Sequence, residues 1–288
     1  MADPAEGPRT GTAARPRRAT QRAARAAARA RALQAPAGPS VAALITAHNQ
    51  ARRIAATVRA ALAIPGVDLV LVVDDGSTDN TQDLARRAGA VVVRHSHVRG
   101  RTAAVETGAS VIAMRDEPGR SPRGILFLDA GLGHYAIGAA PLVPAVLEGV
   151  CDLSIAMTEG AAPLKEVATH ATRRAVERAC GWQPRHPLGT IRCVSREALE
   201  ASMPLARGAG LEAGMTLDII HAGLTVTEIE CEIRHKAAPA RTPVAKANRY
   251  REVIAALATR RIKSAMSRRG DSGPPPEDEG ASTERTDA

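Results

Sequence analysis

Four short, almost entirely apolar runs constrain the fold of this chain more than any other feature of its sequence. They lie at residues 41–46, 67–74, 90–95 and 124–129. Runs of this length that are rich in β-branched residues are typical of strands buried on both faces of a sheet. Helical patterns separate them at residues 50–63, 79–88 and 101–115. The alternation predicts an α/β domain with a mostly parallel central sheet and helices on both faces.

The same alternation continues through the second half of the chain. Further strands are predicted at residues 152–157, 189–194 and 224–235. Helices are predicted at 163–179, after a capping Ser195, and at 211–222. Gly181 is expected to end the first of these helices.

Charge divides the chain into a body and two tails. The formal net charge is +9, but residues 1–38 hold eight Arg against two acids, and residues 270–288 hold six acids against one Arg. Both ends lack large apolar residues, so burial cannot offset the entropy that ordering costs. We predict disordered tails at 1–38 and 270–288. Stretch 21–33 leaves two alternatives open, a solvated tail or a basic helix on an acidic surface.

Composition excludes several classes of protein. One Phe, one Trp and two Tyr among 288 residues are too few for base-stacking platforms or aromatic cages. Only charge favours nucleic acid, so we expect no nucleic-acid partner. No run approaches the roughly 18 apolar residues of a membrane span, and no signal-peptide apolar region is visible. The four Cys form no CxxC pair, which favours a reduced, cytoplasmic protein.

Polar and acidic residues follow three of the predicted strands. The first strand is followed by Ala47, His48, Asn49 and Gln50. The second is followed by Asp74, Asp75, Gly76, Ser77, Thr78 and Asp79, and the fourth by Asp129, Ala130, Gly131, Leu132, Gly133 and His134. Ligands bind outside the carboxyl ends of the strands in such sheets, so these residues predict a pocket. No GxGxxG or GxxxxGK[ST] motif follows a strand, which excludes a dinucleotide fingerprint and a P-loop.

The loop after the second strand is the most specific of the three. Gly76 permits a tight turn, and Ser77 or Thr78 is predicted to cap the next helix. Asp74 and Asp75 would hold carboxylates over the pocket, where they can accept from a nucleobase N–H or a ribose hydroxyl. The alternative is that the acids of this loop only cap and solubilise a turn.

Four segments, taken in order, resemble a known family. They are ITAHNQ (45–50), VVDDGSTDNT (72–81), RGRTAAVETG (99–108) and FLDAGLG (127–133). They look like the nucleotide-sugar-binding half of the family 2 glycosyltransferases of GT-A fold, closest to the polyprenyl-phosphate sugar transferases of the dolichyl-phosphate mannosyltransferase type. The resemblance covers residues 41–157 and, more loosely, 211–236. Within a domain at 39–269 it implies a donor half at 39–157 and an acceptor half at 158–243.

The resemblance also implies a function and a set of site residues. A sugar would pass from a UDP- or GDP-sugar, with Mg²⁺ or Mn²⁺, to an acceptor such as polyprenyl phosphate, at the inner face of the membrane and in cell-envelope biosynthesis. Asp129 would begin the Asp-x-Asp motif that holds the ion, and Arg101 would lie near the phosphates. The implied donor-binding residues are Ala47, Asn49, Asp74, Asp75, Gly76, Arg101 and Ala130.

The sequence departs from the family pattern at three places. Gly131 replaces the second acid of the Asp-x-Asp motif, Gln50 replaces a usual Glu, and loop 183–193 matches the acceptor loop poorly. Two functions therefore stay open, an active transferase or a non-catalytic relative that binds nucleotide or a partner as a scaffold or regulator. His134 is a further candidate for the metal or a phosphate, or else a surface residue.

Asp129 is one candidate catalytic residue, and Glu212 is the other. Transfer to a sugar hydroxyl needs a carboxylate that takes a proton, whereas a polyprenyl phosphate is already ionised and needs none. Glu212 and Asp218 are the candidates, and six residues correspond to about 600° of helical turn, so they face different ways. We expect only one, Glu212, to reach the pocket; the alternative is a surface acid.

A basic amphipathic helix is predicted at residues 244–269. One face collects apolar residues at helical spacing, namely Tyr250, Val253, Ile254, Leu257 and Ile262. Such a helix can lie on an anionic membrane surface, or it can pack against the domain with a solvated basic face. The sequence leaves both alternatives open.

Overall fold

The computed structural model describes residues 38–158, 166–233, 247–248 and 250–260. The predicted tails at 1–38 (apart from Gly38) and 270–288 lie outside the described residues, as do parts of the predicted segments at 158–243 and 244–269.

Strands and helices alternate along the described residues much as the apolar runs predict. The strands are β1 (Val41–Ala47), β2 (Val67–Asp74), β3 (Val91–Arg94), β4 (Gly124–Asp129), β5 (Leu153–Met157), β6 (Arg192–Val194) and β7 (Val226–Glu230). The helices are α1 (Ile54–Leu62), α2 (Thr81–Arg87), α3 (Arg101–Met114), α4 (Leu142–Leu147), α5 (Glu166–Cys180), α6 (Arg196–Ala201), α7 (Leu211–His221) and α8 (250–260). Short 3-10 helices occupy Gly133–Ala139 and Gly208–Gly210.

The strands form one sheet in the order β3-β2-β1-β4-β6-β5-β7. Strand β1 pairs in parallel with β2 and β4, and β2 with β3. Strand β5 is parallel to β7, whereas β6 runs antiparallel to both β4 and β5. The predicted mostly parallel sheet is confirmed. Because β1 lies between β2 and β4, the carboxyl ends of these three strands meet at one edge.

Both faces of the sheet are covered, as predicted for strands that are apolar on both sides. Along β1, Val41, Ala43 and Ile45 face a core built with α1 and α4. The residues between them, Ala42 and Leu44, face a second core built with α3, α6 and α7. This alternation follows from the two-residue period of a strand.

Two predicted helix ends agree with the structure, and one helix, α4, was not predicted. Ser195 caps α6 by accepting from the backbone N–H of Ala198 (3.2 Å), and Gly181, at φ 80°, ends α5. Helix α4 is not among the predicted helices. Pro141 precedes the helix and Pro144 lies in its first turn, where backbone N–H groups have no intrahelical acceptor. Proline is tolerated there.

Helix α8 packs against the domain. Val253 and Ala256 are buried, and the guanidinium of Arg260 donates to Asp218 Oδ2 on α7 (2.9 Å). Glu252 accepts from the backbone N–H of Ala209 (2.8 Å), just before α7. In the part of the chain that the structure describes, packing is thus the alternative observed for this helix. No helix among those residues combines the length and apolar character of a membrane span.

Candidate functional site

The loops that follow β1 and β2 are joined into one unit. The backbone N–H of Asn49 donates to Ser77 Oγ (2.9 Å), and Asn49 Oδ1 accepts from the backbone N–H of Thr78 (2.9 Å). Asn49 has a positive φ of 53°, a conformation that Asn adopts more readily than most residues. The N–H of Asp75 donates to Ala47 O (2.8 Å). These bonds fix the strand ends relative to each other.

The predicted helix cap after β2 is wrong. Helix α2 begins at Thr81 without a side-chain cap bond, because Ser77 is engaged by Asn49 and Thr78 is paired with the same residue. Asp79 instead accepts from the backbone N–H groups of Thr81 (3.0 Å) and Ala51 (3.1 Å). Hydrogen bonds from Thr81 and Ala51 lower the pKa of Asp79, outweighing the opposing effect of burial.

Asp74 and Asp75 differ in how their carboxylates are used. Asp74 is 1% exposed, and its Oδ1 accepts from the N–H of Ser77 (3.0 Å). Its Oδ2 lies 3.7 Å from Arg94 Nε and has no hydrogen-bond partner among the described residues. A buried carboxylate oxygen without a donor is costly and rare in native proteins.

Asp75 holds the turn that begins α3. Its Oδ1 accepts from His95 Nδ1 (2.7 Å) and from the N–H of Arg99 (2.8 Å), and its Oδ2 accepts from the N–H of Gly100 (2.8 Å). Burial raises the pKa of Asp75, but these hydrogen bonds and the charge of His95 outweigh it and leave the pKa below the usual value. Asp75 thereby places the residue that follows Gly100, Arg101.

Gly76 is required where this turn crosses the β2 loop. Its φ is 71°, and a Cβ there would lie 2.9 Å from the backbone carbon of His97 and from the nitrogen of Val98. Any other residue would push the 97–98 segment away. The structure therefore gives Gly76 a packing role; its predicted contact with a donor stays a prediction.

The loop after β4 is anchored from α1. Thr57 Oγ donates to Ala130 O (2.8 Å) and accepts from the N–H of Gly133 (2.8 Å), and Arg53 donates to Gly131 O (2.9 Å). The two departures from the family pattern are neighbours here, since a Cβ on Gly131 would lie 3.4 Å from Gln50 Oε1. Position 131 thus has room for a side chain, and the amide of Gln50 borders it.

Arg101, Glu212 and Asp129 converge although they lie on α3, α7 and β4. Arg101 forms an ion pair with Glu212, whose carboxylate is 8% exposed, whereas a third of the Arg101 side chain is exposed. Arg101 Nε is buried and has no partner among the described residues. Burial lowers the Arg101 pKa, but the charges of Glu212 and Asp129 outweigh it and raise the pKa overall. Asp218 pairs with Arg260 instead, and that only Glu212 of the two acids reaches a donor pocket stays a prediction.

A second arginine underlies this cluster. Arg192 is 2% exposed and donates to the backbone oxygens of Gly189 and Glu212 (3.2 Å for the latter). Burial lowers its pKa to about 10, so it stays charged at neutral pH. A small cavity with room for about one water opens beside the cluster. It is lined by Arg101, Phe127, Thr190, Arg192, Leu211, Glu212 and Met215.

Sequence reasoning missed Thr190 and Arg192. Thr190 and Arg192 lie in the segment 183–193, which matches the family pattern poorly. Thr190 Oγ1 donates to Asp129 Oδ2 (2.7 Å). An arginine within an apolar strand pattern (TIRCV, 190–194) is the signal that points to a buried polar contact. The loop before them is held by Arg173, which donates to Pro184 O (2.7 Å), and by Glu228, which accepts from the N–H of Arg185 (2.7 Å).

The residues around Asp129 fit a cation that is held jointly with a ligand. Among the described residues no three His, Cys, Asp or Glu side chains gather as a metal site. The side chain of His134 is exposed, and its ring stacks on Tyr135 at 4.0 Å between centroids. Mg²⁺ commonly binds through one or two carboxylates together with substrate phosphates. Asp129 beside Arg101 matches that pattern, whereas a cation held by protein groups only does not.

Comparison with known proteins agrees with the family resemblance in the donor half. Residues 42–130 match the family described as glycosyl transferase family 2. The uncharacterized protein MJ1222 of Methanocaldococcus jannaschii is 30% identical over 112 residues, which are 39% of this chain. The matched region spans 44% of that relative's length.

The fold as a whole is similar to that of glucosyl-3-phosphoglycerate synthase from Mycobacterium tuberculosis. The structure with phosphoglyceric acid has a TM-score of 0.65 at 24% identity, covering 82% of this chain and 83% of the other. The structure with Mg²⁺ and UDP has a TM-score of 0.64 at 24% identity, with the same coverage. That with Mn²⁺, UDP-glucose and phosphoglyceric acid has 0.63 at 25%, covering 77% and 80%. The chain thus has the GT-A fold and carries, at residues 42–130, a region that matches glycosyl transferase family 2.

Proposed function

We propose that this protein is a glycosyltransferase that binds a UDP- or GDP-sugar with Mg²⁺ or Mn²⁺ and transfers the sugar to a phosphate-bearing acceptor. The observation that carries the proposal is the convergence of Arg101, Glu212 and Asp129 at the carboxyl edge of the sheet. A guanidinium with an unpartnered buried N–H beside a carboxylate suits an anion that brings its own cation. Structural neighbours that bind UDP and UDP-glucose with Mn²⁺ or Mg²⁺ support it.

Each group of the cluster has a separate task in this proposal. A divalent ion, when bound, would join Asp129 to the donor diphosphate and offset the negative charge that develops on the leaving nucleotide. Arg101 binds phosphate oxygens, and Glu212 holds its guanidinium in place. Asp74 Oδ2 accepts a hydrogen bond from the nucleoside. The remaining predicted donor residues shape the loops around it: Ala47, Asn49, Asp75, Gly76 and Ala130.

We propose an acceptor that carries a phosphate group, because the two molecules suggested as acceptors share that group. The family resemblance implies polyprenyl phosphate, and the structural neighbours contain phosphoglyceric acid. A peripheral contact with the inner face of the membrane follows only for the lipid. Assays with phosphoglyceric acid in solution and with polyprenyl phosphate in vesicles separate the two, and each needs the same UDP- and GDP-sugar donors.

A calorimetric titration tests donor binding. Wild type should bind UDP or GDP more tightly with Mn²⁺ than with EDTA, and Asp129→Asn should lose the metal-dependent gain. Asp83→Asn, an exposed carboxylate on α2, is the matched control and should behave as wild type. Absence of binding to either nucleotide would overturn the proposal.

A non-catalytic nucleotide-binding protein is the second candidate function, and Gly131 favours it. Removing one carboxylate from a diphosphate clamp takes away charge stabilisation of the transition state. Metal-dependent nucleotide binding without turnover on either phosphate acceptor would select this candidate. Higher turnover in Gly131→Asp would identify the second carboxylate as the missing group.

Glu212→Gln distinguishes two tasks of that residue. If Glu212 mainly holds Arg101, the variant should weaken nucleotide binding, because a neutral amide pairs less strongly with a guanidinium. If it takes a proton from an acceptor hydroxyl, kcat should fall while the Kd for nucleotide stays unchanged. If the accepting atom is a phosphate oxygen, as in polyprenyl phosphate, no base is needed and we expect the first result; if it is a hydroxyl of phosphoglyceric acid, we expect the second.

A further inference from the structure

The end of β4 carries one carboxylate, Asp129, because the residue two positions further on is Gly131. An aspartate side chain can rotate about its side-chain bonds, and each rotation that it loses on binding costs entropy. Residues that fix the orientation of a metal ligand commonly lie just behind it. The groups in contact with Asp129 therefore decide how well one acid can serve.

Thr190 is such a group. Its hydroxyl donates to Asp129 Oδ2 at 2.7 Å, across 61 positions of the chain. The pairing of β4 with β6 explains the contact, because Phe127 lies opposite Arg192 and the strands run in opposite directions. Continuing that pairing by two residues brings Thr190 opposite Asp129.

The position of Thr190 is itself fixed by its neighbours. The buried guanidinium of Arg192 donates through Nε to Gly189 O (2.9 Å) and through a terminal nitrogen to Glu212 O (3.2 Å). Gly189 packs so closely that a Cβ there would lie 2.8 Å from Ile155 Cγ2. The backbone before Thr190 is thus held on two sides, and α7 is joined to the loop that contacts Asp129.

We propose that Thr190 is a positioning residue that fixes the Asp129 carboxylate for the divalent ion, at a site where position 131 supplies no second acid. The inference rests on the proposed function, since it concerns the same donor site. It assigns a role to a loop that the family pattern does not explain. It also predicts that a hydroxyl, and not merely a side chain of this size, is needed at position 190.

The test compares Thr190→Val, which keeps the shape and loses the hydroxyl, with Thr190→Ser, which keeps the hydroxyl. Mn²⁺ affinity is measured by calorimetry on the full chain with UDP or GDP present, and nucleotide affinity is measured separately in EDTA. Thr190→Val should weaken Mn²⁺ binding by about 10- to 100-fold, the usual effect of losing such a partner. Thr190→Ser should restore it, and nucleotide affinity in EDTA should not change.

Thr172→Val is the matched control, because Thr172 is buried and its hydroxyl donates within α5 to Ala168 O (2.8 Å). It should leave Mn²⁺ affinity unchanged. Wild-type Mn²⁺ affinity in Thr190→Val, or equal losses in Thr190→Val and Thr190→Ser, would overturn the positioning role and leave the proposed function intact. Failure of wild type to bind Mn²⁺ with either nucleotide would remove the proposed function, and this inference with it.

Discussion

The two ends of the parallel strands are built from the same residue types, arginine and aspartate, but they use them differently. At the amino edge, where β1, β2 and β4 begin, Arg123 donates to Asp68 (2.8 Å) and to Asp116 (3.1 Å). Arg196 donates to the other oxygen of Asp116 (2.7 Å), and Ser40 donates to Asp68 (3.0 Å). Each of these four charged side chains therefore has an opposite charge beside it.

The carboxyl edge leaves its charges incompletely satisfied. Among the described residues, the buried side-chain atoms without a hydrogen-bond partner are Asp74 Oδ2 and Arg101 Nε, and both lie at this edge. Such atoms cost stability and are rare in native proteins. The amino edge therefore contributes to stability, whereas the carboxyl edge keeps buried polar atoms whose hydrogen bonds are not made among the described residues, and under the proposed function these atoms serve the donor.

The largest expected effect is the loss of activity in Arg101→Ala, which removes a guanidinium from the carboxyl edge. Removing the guanidinium that faces the diphosphate should lower kcat for sugar transfer by about 100- to 1000-fold, as for other preorganised donors. Steady-state kinetics measure it, with calorimetry of nucleotide binding as support. Arg99→Ala is the control, since this neighbour contributes its backbone N–H to the turn and its side chain is exposed. Equal activity in Arg101→Ala and wild type would contradict the assignment.

The amino edge should respond in the opposite way. Arg123→Ala leaves Asp68 and Asp116 without their shared partner, so we expect a loss of about 2–3 kcal/mol in the free energy of unfolding. Nucleotide affinity of the folded protein should not change. Urea unfolding followed by circular dichroism measures the loss. Arg120→Ala, which removes an exposed pair with Glu117, should cost less than about 1 kcal/mol. If Arg123→Ala lowered nucleotide affinity and left stability unchanged, the assignment of the amino edge to stability would be contradicted.

A smaller, pH-dependent effect is expected at Asp75, which serves stability although it lies at the carboxyl edge. Its pKa is lowered from 3.8 in the folded protein, so its ionised form stabilises the fold. That contribution is complete above the unfolded pKa and is lost as the pH falls through the lower, folded pKa. Asp75→Asn should cost about 1–2 kcal/mol at neutral pH. Urea unfolding at several pH values should show this difference shrinking below pH 3.8. A difference that stays constant to lower pH would show that ionisation of Asp75 is irrelevant.

The sequence predicts the sheet well because its signal is local. The stretch 69–73 is apolar throughout, and such a pattern is typical of a strand buried on both faces. The cap at Ser195 is equally local, since its hydroxyl bonds a residue three positions away. Helix α4 was missed because the position of a proline within a helix, and not its presence, decides whether it disrupts.

The candidate site could be predicted only in part. Asp74, Asp129 and their neighbours follow from the rule that ligands bind at carboxyl ends of strands. Thr190 and Arg192 could not be found in this way, because their contacts depend on which strand inserts beside β4. The cap assigned to Ser77 failed for the same reason, since Asn49, 28 positions away, takes its hydroxyl.

The reversed direction of β6 links the two edges of the sheet mechanically. Residues before this three-residue strand reach the carboxyl edge, where Thr190 meets Asp129, and residues after it reach the amino edge, where Arg196 meets Asp116. A slip of one residue in the pairing of β6 would turn every side chain of the strand to the opposite face. It would separate both contacts at once. The ion pairs at the amino edge thus help to fix the register of β6, and the geometry around Asp129 depends on contacts at the opposite end of the sheet.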